Sequence, residues 1–323
     1  MSLSNGFTPA AAAWFTILTF GARSGSFSSE SGLTLGGDHF FVPSYRPSDV
    51  TLVVGPGVTV VAGTDLYVIG GLASNDQVQI NAAGKSNTGS TGVQVKARLD
   101  GVSTKTTFSQ AFSAIYVYGF AGNDTITLAD TLAISANISA GDGNDHVTAG
   151  NGNNTITLGN GNDHVTAGDG NNTVTLGDGN DHVELGNGNN TVSLGNGNDH
   201  TSVGDGNNVV VEGNGNDKIT AGNGDNLIVA GLGQHTVTAG NGGNILIDGS
   251  VQLTQSGDSL RQVLDDWILY GNQAANVASI RSRLAVTYNS SHANTLDAGS
   301  GLDWFWYTDA KDRTNRKATD LLN

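Results

Sequence analysis

Five aspartates recur at intervals of eighteen residues in the middle of the chain. They are Asp145, Asp163, Asp181, Asp199 and Asp217. Five asparagines fall midway between them at the same spacing, namely Asn154, Asn172, Asn190, Asn208 and Asn226. Carboxylate and amide oxygens are hard ligands of the kind that calcium prefers. The chemistry available to these residues therefore depends on whether the fold brings each series together.

The residues around these positions form a nine-residue repeat from Gly141 to Ser250. Successive units read GDGNDHVTA and GNGNNTITL. Gly, Asn and Asp favour a tight turn, and the following apolar residues alternate as in a strand with one buried face. Each strand buries only two side chains, so that stacked coils are needed to build a core. The repeat predicts an all-β solenoid of 18-residue coils with an aspartate edge and an asparagine edge.

Stacking at the ~4.8 Å spacing of strands would place successive aspartates side by side. Two carboxylates at that distance repel by roughly 1 kcal/mol in water and by several kcal/mol at an effective dielectric near 20. A cation between the coils would remove this repulsion. The alternative, in which each aspartate only caps its own turn, gives no reason for keeping aspartate on one edge.

The asparagine edge needs no cation. Stacked amides favour a neutral hydrogen-bonded ladder, and weaker calcium sites made mostly of carbonyl oxygens are the alternative for this edge. A further set of aspartates lies between the two glycines of a unit and is predicted to point into solvent without binding. These are Asp142, Asp169, Asp178 and Asp205.

Units such as Ala149-Gly150-Asn151-Gly152-Asn153-Asn154 resemble the RTX (hemolysin-type) calcium-binding nonapeptide, with Ala or Leu in place of its first Gly. The order of segments is also similar to the C-terminal regions of large bacterial surface or secreted repeat proteins. The resemblance implies a right-handed parallel β-roll, secretion, and several calcium ions held mainly on the aspartate edge. By this resemblance, the calcium ligands are the five aspartates and the outliers Asp124 and Asp303. RTX arrays usually have aspartate on both edges, so the role does not extend to the asparagines.

The remaining segments are arranged around the array. We predict an N-terminal β-strand region (1–73), irregular leading coils with a β-hairpin excursion (74–140), the regular array (141–250), a helical insertion (251–293), a terminal capping coil (294–307) and a loosely ordered tail (308–323). Leu260, Val263, Leu264 and Trp267 have helical spacing, with Ser256 or Asp258 as the N-cap. The aromatic residues 304–307 are predicted to close the open core of the last coil.

The composition excludes several classes of function. A net charge of −15 argues against binding to the phosphate backbone of a nucleic acid. The chain has no cysteine for disulfides or thiolate metal sites, and no apolar run reaches the ~20 residues of a membrane span. Neither a Gly-x-Ser-x-Gly, a His-Glu-x-x-His nor a phosphate loop occurs. We therefore predict a protein that is not an enzyme.

Two outward rows leave alternatives open. His146, His164, His182 and His200 could bind Zn²⁺ or Ni²⁺ or respond to pH. The pairs Thr155-x-Thr157, Thr173-x-Thr175 and Thr191-x-Ser193, which we call the Thr-x-Thr pairs, resemble the ice-binding faces of some solenoids. Residues of both rows are also ordinary solvated strand residues.

The main hypothesis is an extracellular or cell-surface structural module of a bacterial protein that binds calcium and whose folding is stabilised by calcium. The alternatives are an adhesion, glycan- or ice-binding module with a cell-surface or polysaccharide partner, and the non-catalytic C-terminal part of a secreted enzyme.

Overall fold

The structure is a computed structural model that describes residues 14–19, 34–36, 39–45, 49–61, 64–85, 91–289, 292–307, 312–317 and 320–322. The main body of the fold consists of strands stacked as successive coils, each coil giving one strand to each of two sheets. Strands of successive coils in the array pair in parallel with a shift of eighteen residues, as His146 with His164 and Thr155 with Thr173. The predicted β-roll solenoid is confirmed.

The elements before the regular array are strands. In chain order they are β1 (Trp14–Thr19), β2 (Thr34–Gly36), β3 (His39–Tyr45), β4 (Asp49–Gly55), β5 (Gly57–Val61), β6 (Asp65–Ile69), β7 (Gln77–Lys85), β8 (Thr91–Leu99), β9 (Val102–Phe108), β10 (Ala114–Tyr118), β11 (Thr125–Leu128) and β12 (Ser135–Gly141). Strands β1 to β4 form an antiparallel sheet of their own. The tip of the predicted hairpin excursion, residues 86–90, lies outside the described residues.

Short strands follow one another through the array. They are β13 (His146–Ala149), β14 (Thr155–Leu158), β15 (His164–Ala167), β16 (Thr173–Thr175), β17 (His182–Leu185), β18 (Thr191–Ser193), β19 (His200–Val203), β20 (Val209–Val211), β21 (Asn214–Gly215), β22 (Lys218–Ala221), β23 (Leu227–Val229), β24 (Leu232–Gly233), β25 (Thr236–Ala239) and β26 (Ile245–Ile247). The C-terminal part contains β27 (Gly249–Leu253), α1 (Leu260–Tyr270), α2 (Ala274–Arg283), β28 (Leu284–Tyr288), β29 (Thr295–Ala298), β30 (Trp304–Trp306), β31 (Arg313–Thr314) and β32 (Leu321–Leu322).

Two long sheets face each other across the core. One, which we call the His sheet because four histidines project from it, runs in the order β9, β8, β7, β11, β13, β15, β17, β19, β22, β25, β29, β31. The other, which we call the Thr sheet, runs β5, β6, β10, β12, β14, β16, β18, β20, β23, β26, β30, β32. The turns into the His sheet form the aspartate edge, and the turns into the Thr sheet form the asparagine edge.

The core consists of the inward residues of both sheets. Val147 and Val165 of the His sheet and Ile156 and Val174 of the Thr sheet are fully buried, whereas their neighbours in sequence face outward. Burying each Val or Ile side chain contributes about 1.5–3 kcal/mol. The period of two that predicted these faces therefore also accounts for the main stabilising contribution of each coil.

The predicted helical insertion is confirmed, and an antiparallel pair, β27 with β28, joins it to the solenoid. Its predicted N-cap is wrong. Ser259 caps α1, because its Oγ accepts a hydrogen bond from the Gln262 N–H at 3.2 Å. Asp258 instead accepts a hydrogen bond from the Nε of Arg283 at 2.9 Å. Its carboxylate therefore connects the loop before α1 to the end of α2.

The two helices lie on the outer face of the Thr sheet, where they explain a change in the repeat. From β20 onward the outward residues become apolar, beginning with Val209, and they pack with Val263, Leu264 and Trp267 of α1. The prediction that residues 304–307 close the open core is wrong for the two tryptophans. Trp304 belongs to the cluster beneath the helices, with its ring 5.5 Å from that of Trp267. The tail adds β31 and β32 beyond them.

Candidate metal-binding edge

The aspartates of one edge form a continuous row, which we call the Asp row. Its members are Asp124, Asp145, Asp163, Asp181, Asp199 and Asp217. From Asp124 to Asp199, each backbone N–H donates to the Oδ1 of the next aspartate along the solenoid, at 2.8 to 3.0 Å. All six residues are at least 97% buried. One oxygen of each carboxylate from Asp145 to Asp217 thus holds the preceding coil.

The second oxygen of these carboxylates is different. The Oδ2 atoms of Asp124, Asp145, Asp163 and Asp181 are buried and accept no hydrogen bond. Burial is the main cause that raises the pKa of Asp145 and of Asp181 to about 7, and repulsion from neighbouring carboxylates adds to it. The row therefore places several unsatisfied acceptors in the interior, at a position where the charged form is unfavourable.

Protein groups flank the two ends of the row: Asp76 precedes it and donates its backbone N–H to the Oδ1 of Asp124, and His235 follows Asp217. At the start, Asp76 accepts hydrogen bonds from the N–H groups of Gly71 and Asp100 and from the Ser74 hydroxyl. At the other end, the Nδ1 of His235 lies 3.1 Å from the Oδ2 of Asp217. The same nitrogen accepts the Asp217 backbone N–H at 3.4 Å, so its contact with Oδ2 becomes an ion pair only when the imidazole is protonated. The unsatisfied oxygens lie between these ends.

The asparagines of the opposite edge form an amide ladder, the Asn row, in which Asn244 follows the five asparagines of the repeat. The Nδ2 of Asn154 donates to the carbonyl oxygens of Gly150 and Gly152 at 2.9 and 2.8 Å, and lies 3.0 Å from the Oδ1 of Asn172. The same three contacts recur at each later asparagine of the row. Because Nδ2 is a donor, it neutralises the acceptors that converge at this turn.

Comparison of the two edges shows what the Asp row lacks. Aspartate has the shape of asparagine but replaces the Nδ2 donor by an oxygen acceptor. No donor among the described residues reaches the carbonyl of Gly143, which is equivalent to that of Gly152 on the other edge. The aspartate edge is therefore a set of oxygen acceptors without a positive partner, and such a set fits a hard cation such as calcium.

Within the described part of the chain, no three His, Cys, Asp or Glu side chains come close enough together to hold a metal ion. A calcium ion on this edge would thus be held by one or two carboxylates, and turn carbonyls would supply the other ligands. The flexible coordination of calcium permits such a set.

Asp303 does not lie in the Asp row. It occupies the end of the Asn row, where its Oδ1 accepts from both the backbone N–H and the Nδ2 of Asn244. The Oδ2 of Asp303 is buried without a hydrogen bond, and the Nζ of Lys317 lies 3.9 Å away. A protein cation thus already lies near this carboxylate, unlike those of the Asp row.

The aspartates between the glycines are exposed, as predicted, and they also accept hydrogen bonds from the backbone. Asp142 accepts the backbone N–H of Asn160 at 2.8 Å, and Asp178 that of Asn196 at 2.8 Å. The corresponding bonds of Asp169 and Asp205 join them to Asn187 and Asn223. These bonds hold the following coil, whereas the Asp row holds the preceding one. Asp142 and Asp178 act in this way on the aspartate edge, and Asp169 and Asp205 on the asparagine edge.

Two buried acids of the interior were not singled out from the sequence. Glu212 takes the inward position that Leu194 has one coil earlier, and the Thr201 hydroxyl donates to it at 2.7 Å. Burial raises the pKa of Glu212 to about 8. Asp248 is fully buried and accepts from the Nδ2 of Asn294 at 3.1 Å. A polar residue at a repeat position that is otherwise Leu or Ala is the signal that marks both.

The outward rows are regular. The rings of His146, His164 and His182 stack with centroids 4.7 and 4.8 Å apart and nearly parallel planes, and His200 meets His182 edge-on. On the Thr sheet, the Thr-x-Thr pairs are open only between two covered ends. The helices cover β20 onward, and Tyr67 at the other end packs against Val53 of β4.

Comparison with known proteins places the repeat in a family. The RTX calcium-binding nonapeptide repeat (4 copies) matches residues 139–174, 166–201, 175–210, 202–234 and 212–246. These overlapping matches cover the array and about a third of the chain. No curated protein and no solved structure matches the chain. The resemblance to RTX repeats is confirmed, and with it calcium as the ligand of the repeat type.

Proposed function

We propose that the chain, which carries RTX-type repeats, works as a calcium-binding β-roll module of a secreted bacterial protein, with the ions bound along the Asp row. The observation that carries this proposal is the run of buried, unpartnered Oδ2 atoms from Asp124 to Asp181. We extend the ligand role to Asp199 and Asp217 by their positions in the row. Asp303 is the weakest candidate, because Lys317 already lies beside it.

Calcium would supply positive charge between successive carboxylates. The protein's own contribution is to hold one oxygen of each carboxylate on a backbone N–H, which fixes the side chain and leaves Oδ2 without a protein donor. The Asn row closes the opposite edge with its own Nδ2 donors. Each coil therefore has one edge that closes without metal and one that needs it.

This asymmetry couples metal binding to folding. At the low calcium concentration of a cytosol, the carboxylates of the Asp row repel one another and oppose closure of the coils. At millimolar concentrations outside the cell, the free energy of calcium binding becomes free energy of folding. RTX repeats typically belong to secreted or surface-exposed proteins, which fits this mechanism, and no described helix is long and apolar enough to cross a membrane. We assign no catalytic role to the module.

Far-UV circular dichroism of the full chain in EDTA, and then in calcium, tests the proposal. We expect a weaker strand signal and a lower melting temperature in EDTA, and recovery of both when excess calcium is added. Magnesium at the same concentration is the control, because it demands a stricter octahedral geometry and keeps several waters. An unchanged signal and melting temperature across all three conditions would contradict the proposal.

A further inference from the structure

Three cations lie together at one end of the His sheet. Lys96 of β8 is directly opposite Lys105 of β9, and Arg98 follows on the same face of β8. All three side chains are exposed, and none forms an ion pair with a carboxylate in the described part of the chain. Like charges directly opposite each other destabilise a sheet. In a chain of net charge −15, such a cluster concentrates positive potential at one place.

The cations line an open cavity of about 410 Å³ together with uncharged polar residues. Two rows of paired residues run across the four strands β11, β7, β8 and β9. One row consists of Thr127, Gln79, Lys96 and Lys105, and the other of Thr125, Gln77, Arg98 and Ser103. The cavity lining contains no carboxylate. The cations and Ser103 thus lie on the β8–β9 side of the cavity, and the amides and threonines of the two rows lie on its β7–β11 side.

We infer that this cavity binds an anionic polysaccharide, with Lys96, Arg98 and Lys105 on its acidic groups and Gln77, Gln79 and the threonines on its hydroxyls. Charged donors match carboxylate or sulfate groups. Amides and hydroxyls both donate and accept hydrogen bonds, as sugar hydroxyls do. The site is separate from the Asp row, whose aspartates point into the interior.

The charge of the whole chain favours a glycan over a nucleic acid. Double-stranded DNA carries about one charge per 1.7 Å of its axis, so the acidic surface of the protein would repel it along its full length. A polysaccharide with one acidic group per one or two sugars has a lower charge density and needs cations only locally. The cavity spans three strand spacings, about 14 Å, which suits a short stretch of such a chain.

Isothermal titration of the full chain in calcium with a hyaluronan decasaccharide, which carries one carboxylate per disaccharide, tests this inference. Neutral dextran and a single-stranded DNA of equal charge are the comparison ligands. We expect hyaluronan to bind, dextran not to bind, and the DNA to bind more weakly. Binding should weaken as NaCl is raised from about 50 to about 300 mM, because salt screens exposed charges.

The triple variant Lys96→Gln, Arg98→Gln, Lys105→Gln should weaken hyaluronan binding about tenfold or more. The control variant Lys218→Gln, Arg313→Gln, Arg316→Gln removes the same charge elsewhere and should change the Kd less than about twofold. Equal effects of the two triples, equal binding of dextran, stronger binding of the DNA, or no binding of hyaluronan at low salt would overturn the inference. Circular dichroism of each variant in calcium separates loss of binding from loss of the fold, so that failure of this inference is distinct from failure of the calcium proposal.

Discussion

Asp145 and Asn154 occupy equivalent positions in the two turns of one coil and differ in one buried atom. The Nδ2 of Asn154 donates to two turn carbonyls and to the next asparagine, whereas the Oδ2 of Asp145 has no hydrogen-bond partner. One turn therefore carries its own donor, and the other needs a proton or a cation. This single difference gives the solenoid a metal-free edge and an edge that responds to its surroundings.

Replacing aspartates of the row by asparagine should make the fold less dependent on calcium. In the double variant Asp163→Asn, Asp181→Asn, each new Nδ2 reaches turn carbonyls as Asn172 does, and two buried charges disappear. We expect the free energy of unfolding without calcium to rise by about 1–3 kcal/mol per site, the cost of a buried unsatisfied group. The gain in melting temperature on adding calcium should shrink at the same time, as differential scanning calorimetry in EDTA and in calcium will show.

The matched control exchanges residues in the opposite direction. In Asn172→Asp, Asn190→Asp, the carbonyls of Gly168 and Gly170 lose their Nδ2 donor, and two carboxylates enter a buried ladder. We expect this variant to be less stable than the native chain in EDTA and to regain more of its stability in calcium. If both double variants shift the melting temperature in the same direction, the two edges are not chemically distinct in the way we describe.

The calcium-free protein should lose stability as the pH rises. The pKa values of Asp163 and Asp199 are raised to about 6 and that of Asp145 to about 7, from 3.8 for an unperturbed aspartate. The folded state then binds more protons than the unfolded state between about pH 4 and pH 7, so the free energy of unfolding falls through that window. Urea unfolding in EDTA at several pH values measures this slope.

Excess calcium should reverse this dependence. Calcium and protons compete for the same carboxylates, so the stabilisation that calcium provides grows as the aspartates ionise between about pH 5 and pH 8. Melting temperatures recorded in calcium over this range should rise or stay level while those recorded in EDTA fall. Parallel curves in the two buffers would mean that the Asp row does not bind the metal.

The spacing of the repeat predicted the parts of the fold that depend on neighbouring coils. The eighteen-residue interval alone placed His146 beside His164, because every coil of the array has the same length. It also separated the two edges, since Asp and Asn alternate at the turn position. Local periodicity was sufficient here because each coil contacts only the coils before and after it.

The predictions that were wrong concern contacts between segments that are distant in sequence. Asn244 and Asp303 are adjacent in the Asn row but 59 residues apart in sequence, since the helical insertion lies between them. Only its position on the Thr sheet explains why Val209 is apolar and why Trp304 faces away from the core. The role of His235 could not be predicted from the sequence either. Only the structure shows that its ring lies beside the buried Oδ2 of Asp217.

Removing the imidazole of His235 should destabilise the C-terminal end of the row. In His235→Ala, the Asp217 backbone N–H loses its acceptor, the Oδ2 of Asp217 loses its ion-pair contact and the buried ring leaves a cavity, so we expect a loss of about 2–4 kcal/mol in the free energy of unfolding. The control His200→Ala removes a half-exposed histidine from the same sheet and should change stability by less than about 1 kcal/mol. Urea unfolding in calcium compares the two. Similar losses in both variants would exclude a special role for His235.

Glu212 should destabilise the native fold, and replacing it by the residue of a neighbouring coil should increase stability. Glu212 and Thr201 bond only to each other across the core at 2.7 Å, and the Oε2 of Glu212 has no partner. In the double variant Glu212→Leu, Thr201→Val, both positions take the apolar residues of neighbouring coils, and we expect a gain of about 1–3 kcal/mol at pH 7. The single variant Glu212→Leu should gain less, because it leaves the buried threonine hydroxyl unpaired. The advantage of the double variant should widen as the pH rises from about 5 to about 8 and then level off, since the native fold keeps Glu212 protonated up to its raised pKa of about 8, whereas the unfolded chain loses that proton near pH 4.5. Chemical unfolding of the three proteins at pH 7 and about pH 9 measures this difference, and a double variant that is less stable than the native chain at both values would contradict the assignment.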